Sequence, residues 1–199
     1  MNFIPFGFLL FIFIAHDAGA IPDISNKKNQ LVITAKNESY NMINFTEQQS
    51  VNHWRITDDA VMGGKSTGRF LVEQGKGIFF GNISLDNNGG FSSVFRMINP
   101  LPEDLETVTI DIQGDGLTYQ LRMIVSLNGY RLAYKHKVNT IAGKREKLSF
   151  ALADFQASFR GRNINNAPVL KSEDIREVGF LVTKKTAGKF YLSIFSLIF

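Results

Sequence analysis

Apolar and polar residues alternate with a period of two along several stretches of the chain. Val108, Ile110 and Ile112 alternate with polar or charged neighbours, and turn residues 113–116 follow them. The next stretch, residues 117–125, has an apolar residue at every second position. Successive side chains of a β-strand point to opposite faces of the sheet, so this alternation predicts strands with one buried face.

A hairpin signal and a long apolar stretch complete this pattern. Asn128 and Gly129 form a dipeptide that is typical of a two-residue β-turn between paired strands. The final stretch, residues 190–199, is apolar on both phases, which predicts a central strand covered on both sides. Many short strands, glycine-rich turns and few helical stretches predict an all-β fold, either a β-sandwich or a jelly roll.

The first twenty residues have the pattern of a signal peptide. Residues 3–15 are almost uninterrupted apolar sequence, too short to span a bilayer comfortably, and Ala18, Gly19 and Ala20 follow them. This segment has no arginine, whereas a mitochondrial transit peptide is rich in arginine and serine. We expect export and a mature chain that does not span a membrane, with a mitochondrial location as the alternative.

The domain organisation follows from this assignment. N-x-S/T sequons begin at Asn37, Asn44 and Asn82, and each would be a candidate for glycosylation in a eukaryotic secretory protein. No linker interrupts the strand-like stretches, so we expect one folded domain. The predicted parts are a signal peptide at residues 1–20, a lead-in at residues 21–44 and a β-sandwich domain at residues 45–199.

Charge and composition exclude several classes of function. The formal net charge is +4, and the basic residues are dispersed along the chain. Solvated loops and strand edges explain this distribution better than a nucleic-acid-binding patch, so we expect no nucleic-acid partner. The chain has no cysteine, which excludes disulfides, thiolate metal sites and a cysteine nucleophile.

Four motif-bearing stretches stand out among the strands. In the first, a tryptophan leads into a loop with two aspartates, which can bond their own backbone, and two glycines, which permit positive φ or close approach. The second reads as two strands joined by an Asn- and Gly-rich hairpin. The four stretches are residues 54–68, 80–94, 159–170 and 175–190.

Together and in this order, the four stretches resemble the complex I intermediate-associated protein family, from about Phe45 to the C-terminus. The family pattern has a tryptophan followed by D-x-V-M-G-G-x-S, an N-G-G-F-x-S hairpin, an F-R-G-R loop and a closing I-G-F strand pair. The resemblance implies a galactose-binding-domain-like jelly roll. Its mitochondrial members act as assembly chaperones for NADH:ubiquinone oxidoreductase and are not catalysts, whereas this chain begins with the pattern of an export signal.

The resemblance implies that this chain binds another macromolecule through exposed loops. A protein partner, by resemblance a subunit of a membrane complex, is the first expectation, and a glycan is the alternative. The expected partner-binding residues are Trp54, Asp58, Asp59, Met62, Gly63, Gly64, Ser66, Asn88, Gly89, Gly90, Phe91, Arg160 and Arg162.

The residues capable of catalysis form no recognisable catalytic or metal-binding pattern. Asp58 and Asp59 are adjacent and would face opposite sides of a strand, so we favour a loop-structuring role for both. His53 and His136 have no partners at metal-ligand spacing. We expect no enzyme activity, no cofactor and no metal, although the glycan alternative leaves Ca²⁺ on Asp58, Asp59 or Asp86 open.

Three large side chains each keep two interpretations open. Arg160 and Arg162 flank Gly161 and could present forked donors to a carboxylate or phosphate. Alternatively, one of them clamps the loop by bonding backbone carbonyls or a buried acid. Trp54 belongs either to the core, which its size favours, or to an exposed aromatic platform. An exposed aromatic beside the loops would favour a glycan, and a flat apolar patch would favour a protein partner.

Overall fold

A computed structural model describes residues 42–45, 48–127 and 129–199 of the chain. The predicted signal peptide, most of the predicted lead-in and the sequon at Asn37 lie outside these residues. The described strands, in chain order, are β1 Met42–Asn44, β2 Trp54–Asp58, β3 Thr67–Glu73, β4 Lys76–Ile83, β5 Phe91–Met97, β6 Thr107–Gly114, β7 Thr118–Leu127, β8 Tyr130–Asn139, β9 Arg145–Ala151, β10 Gln156–Phe159, β11 Arg162–Asn163, β12 Ile175–Thr183 and β13 Gly188–Ile198.

The strands form two antiparallel sheets. Sheet A has the order β3-β4-β13-β6-β9, and β1 is paired with β13 in addition. Sheet B has the order β11-β10-β8-β7-β12-β5-β2. Five short 3-10 turns are the helical elements of the described part: Gln48–His53, Asp59–Met62, Asp86–Asn88, Leu152–Asp154 and Ser172–Asp174. The predicted all-β class and galactose-binding-domain-like jelly-roll sandwich are confirmed.

Sheet A begins within the predicted lead-in. Met42 and Asn44 of β1 are register partners of Ile198 and Ser196 at the end of β13. The sequon asparagine Asn44 therefore lies in a strand of the sheet. No helix in the described residues has the length and apolar character to cross a bilayer.

The core lies between the two sheets and follows the alternation seen in the sequence. Val108, Ile110 and Ile112 of β6 are all buried, as predicted from their period. In β7, Tyr119 and Met123 belong to the predicted buried phase and are fully buried. A sheet with one face on the core and one toward solvent produces this pattern.

Strand β13 is central, as predicted, but it is not covered on both sides. Phe190, Leu192 and Ile194 point into the core and are buried. Tyr191 on the opposite face is 43% exposed, so the prediction of cover on both faces is wrong there. Phe195 is half-buried beneath a cation instead, since the Arg145 guanidinium carbon lies 3.7 Å from its ring centroid.

Trp54 joins the two sheets at one edge of the sandwich. Its ring stacks on Phe45 with centroids 5.9 Å apart and lies 4.8 Å from the Phe70 ring. The side chain is 8% exposed, so the core interpretation of Trp54 is confirmed and the exposed platform is excluded. The indole N–H is buried and has no hydrogen-bond partner in the described part of the chain.

A candidate partner-binding cleft

Asp59 joins the first two sequence motifs into one network. Its side chain is fully buried and accepts four hydrogen bonds. The Ser66 main-chain N–H donates to Oδ1 at 2.9 Å, and the Ser66 hydroxyl donates to Oδ2 at 2.5 Å. The main-chain N–H groups of Gly90 and Phe91 donate to the same Oδ2 at 2.6 and 3.2 Å. This set, the Asp59 network, ties the loop after β2 to the start of β5.

Hydrogen bonding keeps Asp59 ionised although it is buried. Burial acts to raise the pKa of this carboxyl, but the bonds from Ser66, Gly90 and Phe91 act in the opposite direction, and the pKa is lowered overall. Hydrogen bonds to the charged form favour that form. The network thus stabilises a buried anion with hydrogen-bond dipoles, and among the described residues no cation forms an ion pair with it.

The two glycines of the first motif serve different purposes. Gly64 lies directly against Asp59, so a Cβ at this position would overlap the carboxylate. Gly63 has open space around its Cα but a φ of +88°, which favours glycine. Its carbonyl accepts a hydrogen bond of 2.8 Å from the Asn87 amide, which adds a second link between the two motifs.

Asp58 also fastens neighbouring strands. Its Oδ2 accepts the Gly68 main-chain N–H at 2.9 Å, and its Oδ1 accepts the Ser92 hydroxyl at 2.5 Å. Strand β2 thereby connects to β3 in sheet A and to β5 in sheet B. Both aspartates therefore structure loops, as the sequence analysis favoured.

These bonds leave few carboxylate lone pairs of Asp58 and Asp59 for catalysis or metal binding. The oxygens of Asp58 and Asp59 are occupied by backbone and serine donors, and Asp86 pairs with Lys65 at 3.2 Å. His136 packs on Phe150, with ring centroids 4.4 Å apart. Among the described residues, no group of three or more His, Cys, Asp or Glu side chains could hold a metal ion.

Several residues in the loops around the Asp59 network are accessible to solvent. Met62 is 68% exposed at the end of the 3-10 turn, and Asn88 is exposed with a positive φ of 60°. Gly89 is half-buried beside Asp59, and Gly90 is buried with a φ of +132°. The loops that the network joins therefore present Met62 and Asn88 to solvent.

Next to Met62, the outer face of sheet B forms an open cleft of about 740 Å³. We call this surface the cleft. Its apolar floor includes Phe91, Phe95 and Leu181. Of the thirteen residues expected to bind a partner, Met62, Phe91 and Arg160 line the cleft, and the other ten do not. The cationic side chains that line it are Arg55, Arg122, Arg131, Lys135 and Arg160.

One row of register partners crosses the cleft from β2 to β8. Arg55 pairs with Phe95, and Phe95 pairs with Gly179. Gly179 in turn pairs with Arg122, which pairs with Lys135. Directly opposed residues of antiparallel strands share a face, so these side chains project to the same side of the sheet.

A single carboxylate neutralises the cations at one side of the cleft. Glu177 accepts a hydrogen bond from Arg55 at 3.0 Å and another from Arg131 at 2.6 Å. The Glu177 side chain is only 16% exposed, whereas the two arginines are about half exposed. The two arginines therefore lie over the carboxylate and shield it from solvent.

Arg122 and Lys135 have no such partner. Nε and Nη2 of Arg122 donate to the amide oxygen of Gln120 at 3.0 and 2.7 Å. Burial lowers the pKa of Arg122. The pKa of Lys135 is lowered by burial and by the like charges of Arg122 and Lys137. Within the described ranges, no carboxylate forms an ion pair with either residue.

The third sequence motif supplies the opposite rim of the cleft. Arg160 and Gly161 connect β10 to β11 with φ values of 47° and 82°, as expected for a tight two-residue hairpin turn. Arg160 lies over the Phe159 ring at 5.3 Å, and Arg162 is exposed. Neither arginine bonds a carbonyl or an acid in the described structure, so the clamping interpretation is wrong and the turn itself fixes this loop.

Sequence reasoning missed most of the cleft cations. Arg122 lies on the polar phase of the 117–125 stretch, and Lys135 and Arg131 lie on the polar phase after the hairpin. These phases were visible as solvent-facing positions. The sequence did not reveal which strands are neighbours, and the order of the strands places these cations on one surface.

Comparisons with solved structures agree with the fold. The family 11 carbohydrate-binding module from Clostridium thermocellum, in complex with a β-1,3-1,4-mixed-linked tetrasaccharide, is 15% identical with a TM-score of 0.57, and the match covers 79% of this chain and 94% of that chain. The same family 11 module of the cellulosomal cellulase Lic26A-Cel5E of Clostridium thermocellum is 14% identical with a TM-score of 0.57, over 79% of this chain and 92% of that chain. At this identity the likeness concerns the fold alone.

Sequence comparison identifies the family. No curated protein matches the chain at a significant level. The family described as complex I intermediate-associated protein 30 (CIA30) matches residues 43–194, which include the Asp59 network and every residue of the cleft described above. The chain therefore belongs to the complex I intermediate-associated protein 30 family.

Proposed function

We propose that the protein is an exported, non-catalytic module that holds a protein partner in the cleft. The observation that carries this proposal is the cleft itself: five strands of sheet B place large polar and apolar side chains on one concave surface of about 740 Å³. Clefts of this size with an apolar floor and a few convergent polar groups are typical binding sites. Membership of the family supports a protein partner, for which a subunit of a membrane complex is the first candidate.

The absence of a catalytic role is part of the proposal. General acid–base chemistry needs titratable groups in reach of a common substrate. The cleft lining that the structure describes contains arginines and a lysine but neither histidine nor carboxylate, and Glu177 beside it is held by two arginines. Asp59 is held within the Asp59 network, and Asp58 is bonded to Gly68 and Ser92. These facts favour binding over turnover.

Export through an N-terminal signal peptide is the proposed route. The apolar segment before Ala20 and its small-residue ending support it. N-terminal sequencing of the protein from its native source tests this directly, with Ile21 as the expected first residue. A mature start downstream of an amphipathic presequence, in protein recovered from mitochondria, would contradict it.

A glycan is the second candidate ligand. Tyr130 is 65% exposed and meets Phe159 edge to face, with ring centroids 6.4 Å apart. Exposed aromatic rings can stack on sugar rings, and this pair lies next to Arg160 at the rim of the cleft. A glycan array with the mature protein tests this candidate, and Tyr130→Ala should then abolish the signal.

A matched pair of variants tests whether the cleft is the binding face. Thr183 is exposed and lines the cleft, and Thr107 is an exposed strand residue on the outer face of sheet A. Thr183→Tyr places a bulky ring in the cleft, whereas Thr107→Tyr places the same ring on the other sheet. The readout is the set of proteins recovered with each tagged mature variant from the native host.

The expected result is that Thr183→Tyr loses a partner that both the wild type and Thr107→Tyr retain. A partner lost equally in both variants, or in neither, would place the binding face elsewhere. Equal unfolding midpoints for the two variants confirm that the comparison concerns the surface. Retention of all protein partners, combined with a glycan-array signal that Thr183→Tyr removes, would establish the glycan candidate instead.

A further inference from the structure

The Phe95 ring covers the centre of the row of register partners across the cleft. Gly179 separates Phe95 from Arg122, and a Cβ there would overlap the Val94 carbonyl oxygen and the Phe95 ring. Close packing of β12 against β5 therefore requires glycine at this position. The Phe95 ring therefore occupies the space over Gly179, and Arg122 lines the cleft next to this apolar surface.

Arg122 and Lys135 form a pair of like charges across β7 and β8. Directly opposed residues in antiparallel strands have Cβ atoms about 5 Å apart, and like charges at this distance destabilise the sheet. Both residues are also partly buried, and this burial lowers both pKa values. In the described structure only Gln120 bonds Arg122, and nothing bonds the Lys135 ammonium. The arrangement is unfavourable without an anion and favourable with one.

Glu177 is an example of a carboxylate bound by arginines on the same surface. It precedes Gly179 by two residues on β12 and projects to the same face of the sheet. Two arginines, Arg55 and Arg131, bind its carboxylate. Because Glu177 already satisfies these arginines, the cleft divides into a neutralised side and an unpaired side. A ligand carboxylate would neutralise Arg122 and Lys135 in the way that Glu177 neutralises Arg55 and Arg131.

We infer that Arg122 and Lys135 bind a carboxylate from an acidic segment of the protein partner, with Arg160 at the rim as a further contact. This inference rests on the proposed function and names the chemistry of the partner. Arginine favours planar carboxylate groups because its donors form a fork, and the adjacent ammonium adds a point charge. Leu181 and Phe91, on the neighbouring strands β12 and β5, contribute apolar contacts on one side of this charge.

The dimensions of the row fit an extended peptide. From Arg55 to Lys135 the row crosses four inter-strand spacings, a distance of about 19 Å at 4.7–4.9 Å for each spacing. An extended chain advances about 3.3 Å for each residue, so roughly six residues span the cleft. A segment of this length with one or two Asp or Glu side chains would place a carboxylate at Arg122 while its backbone passes over the apolar floor of the cleft.

A binding experiment with a defined probe tests this inference on the mature protein. The probe is fluorescein-labelled hexaglutamate, and its control is labelled hexaglutamine, which has the same length and no carboxylates. The test variant is Arg122→Gln combined with Lys135→Gln, and the matched control is Lys147→Gln, an exposed lysine on the outer face of sheet A. Fluorescence anisotropy in low salt measures each dissociation constant.

We expect hexaglutamate to bind wild type and Lys147→Gln within twofold of each other, and the double variant to bind about tenfold more weakly, because two charge-assisted contacts are lost. Hexaglutamine should bind no variant. Equal weakening by Lys147→Gln, or equal binding of hexaglutamine, would overturn the inference. Tighter binding of an oligogalacturonate, which carries carboxylates on a sugar chain, would also overturn the assignment to a protein segment.

The outcomes separate this inference from the proposed function. If Thr183→Tyr loses a native protein partner that the double variant keeps, the cleft binds a protein but the carboxylate assignment fails. If hexaglutamate binding depends on Arg122 and Lys135 but Thr183→Tyr keeps every native partner, the carboxylate site stands and the proposed function fails. Arg122→Lys together with Lys135→Arg keeps both charges and should retain most of the affinity, which distinguishes loss of charge from loss of folding.

Discussion

Ser66 donates two hydrogen bonds to one carboxylate, that of Asp59, from its main-chain N–H at 2.9 Å and from its hydroxyl at 2.5 Å. The same hydroxyl oxygen accepts the Ser84 main-chain N–H at 3.0 Å. The loop of residues 59–66 and the segment at Ser84 therefore meet at two side chains. The loop that positions Met62 at the rim of the cleft depends on this contact.

Asp59→Asn should destabilise the protein by about 3 kcal/mol at neutral pH, because an amide offers one acceptor oxygen where a carboxylate offers two. The amide oxygen can take only one of the two positions, so an NH₂ group would face either the Ser66 main-chain N–H or the N–H groups of Gly90 and Phe91. Urea unfolding measures the loss. Asp86→Asn is the control, since it removes only an exposed ion pair with Lys65, and it should change the free energy of unfolding by less than about 1 kcal/mol.

The same variant should change the dependence of stability on acid. The pKa of Asp59 is lowered in the folded protein, so its contribution is fully present above the unfolded value of about 3.9 and is lost as pH falls through the folded pKa. The gap in unfolding free energy between wild type and Asp59→Asn should therefore shrink below about pH 4. A gap that is constant from pH 7 to pH 3 would show that Asp59 is not a stabilised anion.

Substitutions at the two adjacent glycines should separate steric overlap from backbone strain. Gly64→Ala would push a methyl group into the Asp59 carboxylate and should cost about 3 kcal/mol or more. The methyl group of Gly63→Ala would meet no atom within 4 Å. The positive φ alone should lower the free energy of unfolding, by about 1 kcal/mol. Chemical denaturation of both variants checks the order, and a larger loss at Gly63 would contradict it.

Trp54→Phe should cost less than removal of a large buried ring usually does. The indole N–H is buried without a partner, so phenylalanine removes an unsatisfied donor while it keeps an aromatic ring against Phe45 and Phe70. We expect a loss of about 1 kcal/mol, against 3–5 kcal/mol for Trp54→Ala. Thermal unfolding of the two variants, followed by circular dichroism, provides the comparison.

Arg122→Gln should raise the pKa of Lys135. Burial lowers that pKa most, and the like charges of Arg122 and Lys137, which face the ammonium from β7 and from the same strand, lower it further. Removing the Arg122 charge removes one of these causes. NMR titration of ¹³C-labelled lysines measures the shift, and the resonance of Lys147 on the opposite sheet serves as the internal reference. An unchanged Lys135 would show that the two cations do not interact.

Much of the sandwich was predictable because strand alternation is a local signal. Val108, Ile110 and Ile112 each reveal their burial through their immediate neighbours. The loop-structuring role of Asp58 and Asp59 was predictable for the same reason, since both lie among residues typical of turns. The exposure of Tyr191 was not, because the apolar run around it gives no sign of which face lacks cover.

The cleft could not be predicted from local patterns. Arg55 and Glu177 are 122 residues apart in the chain and meet only because β5 lies between β2 and β12. Arg122 and Lys135 are close in sequence, and their hairpin was predicted, but their place in the cleft depends on β12 and β5, which lie beside β7. Long-range strand order determines which polar phases combine into one surface.

Strand β13 shares one of its edges between two partners, β4 along residues 188–194 and β1 along residues 196–198. A recombinant chain trimmed to begin after Asn44 would leave main-chain donors and acceptors of Ser196 and Ile198 without their neighbour. An open strand edge of this kind is a template for intermolecular pairing. Such a trimmed preparation should oligomerise through that edge, so expression boundaries for this protein belong upstream of Met42.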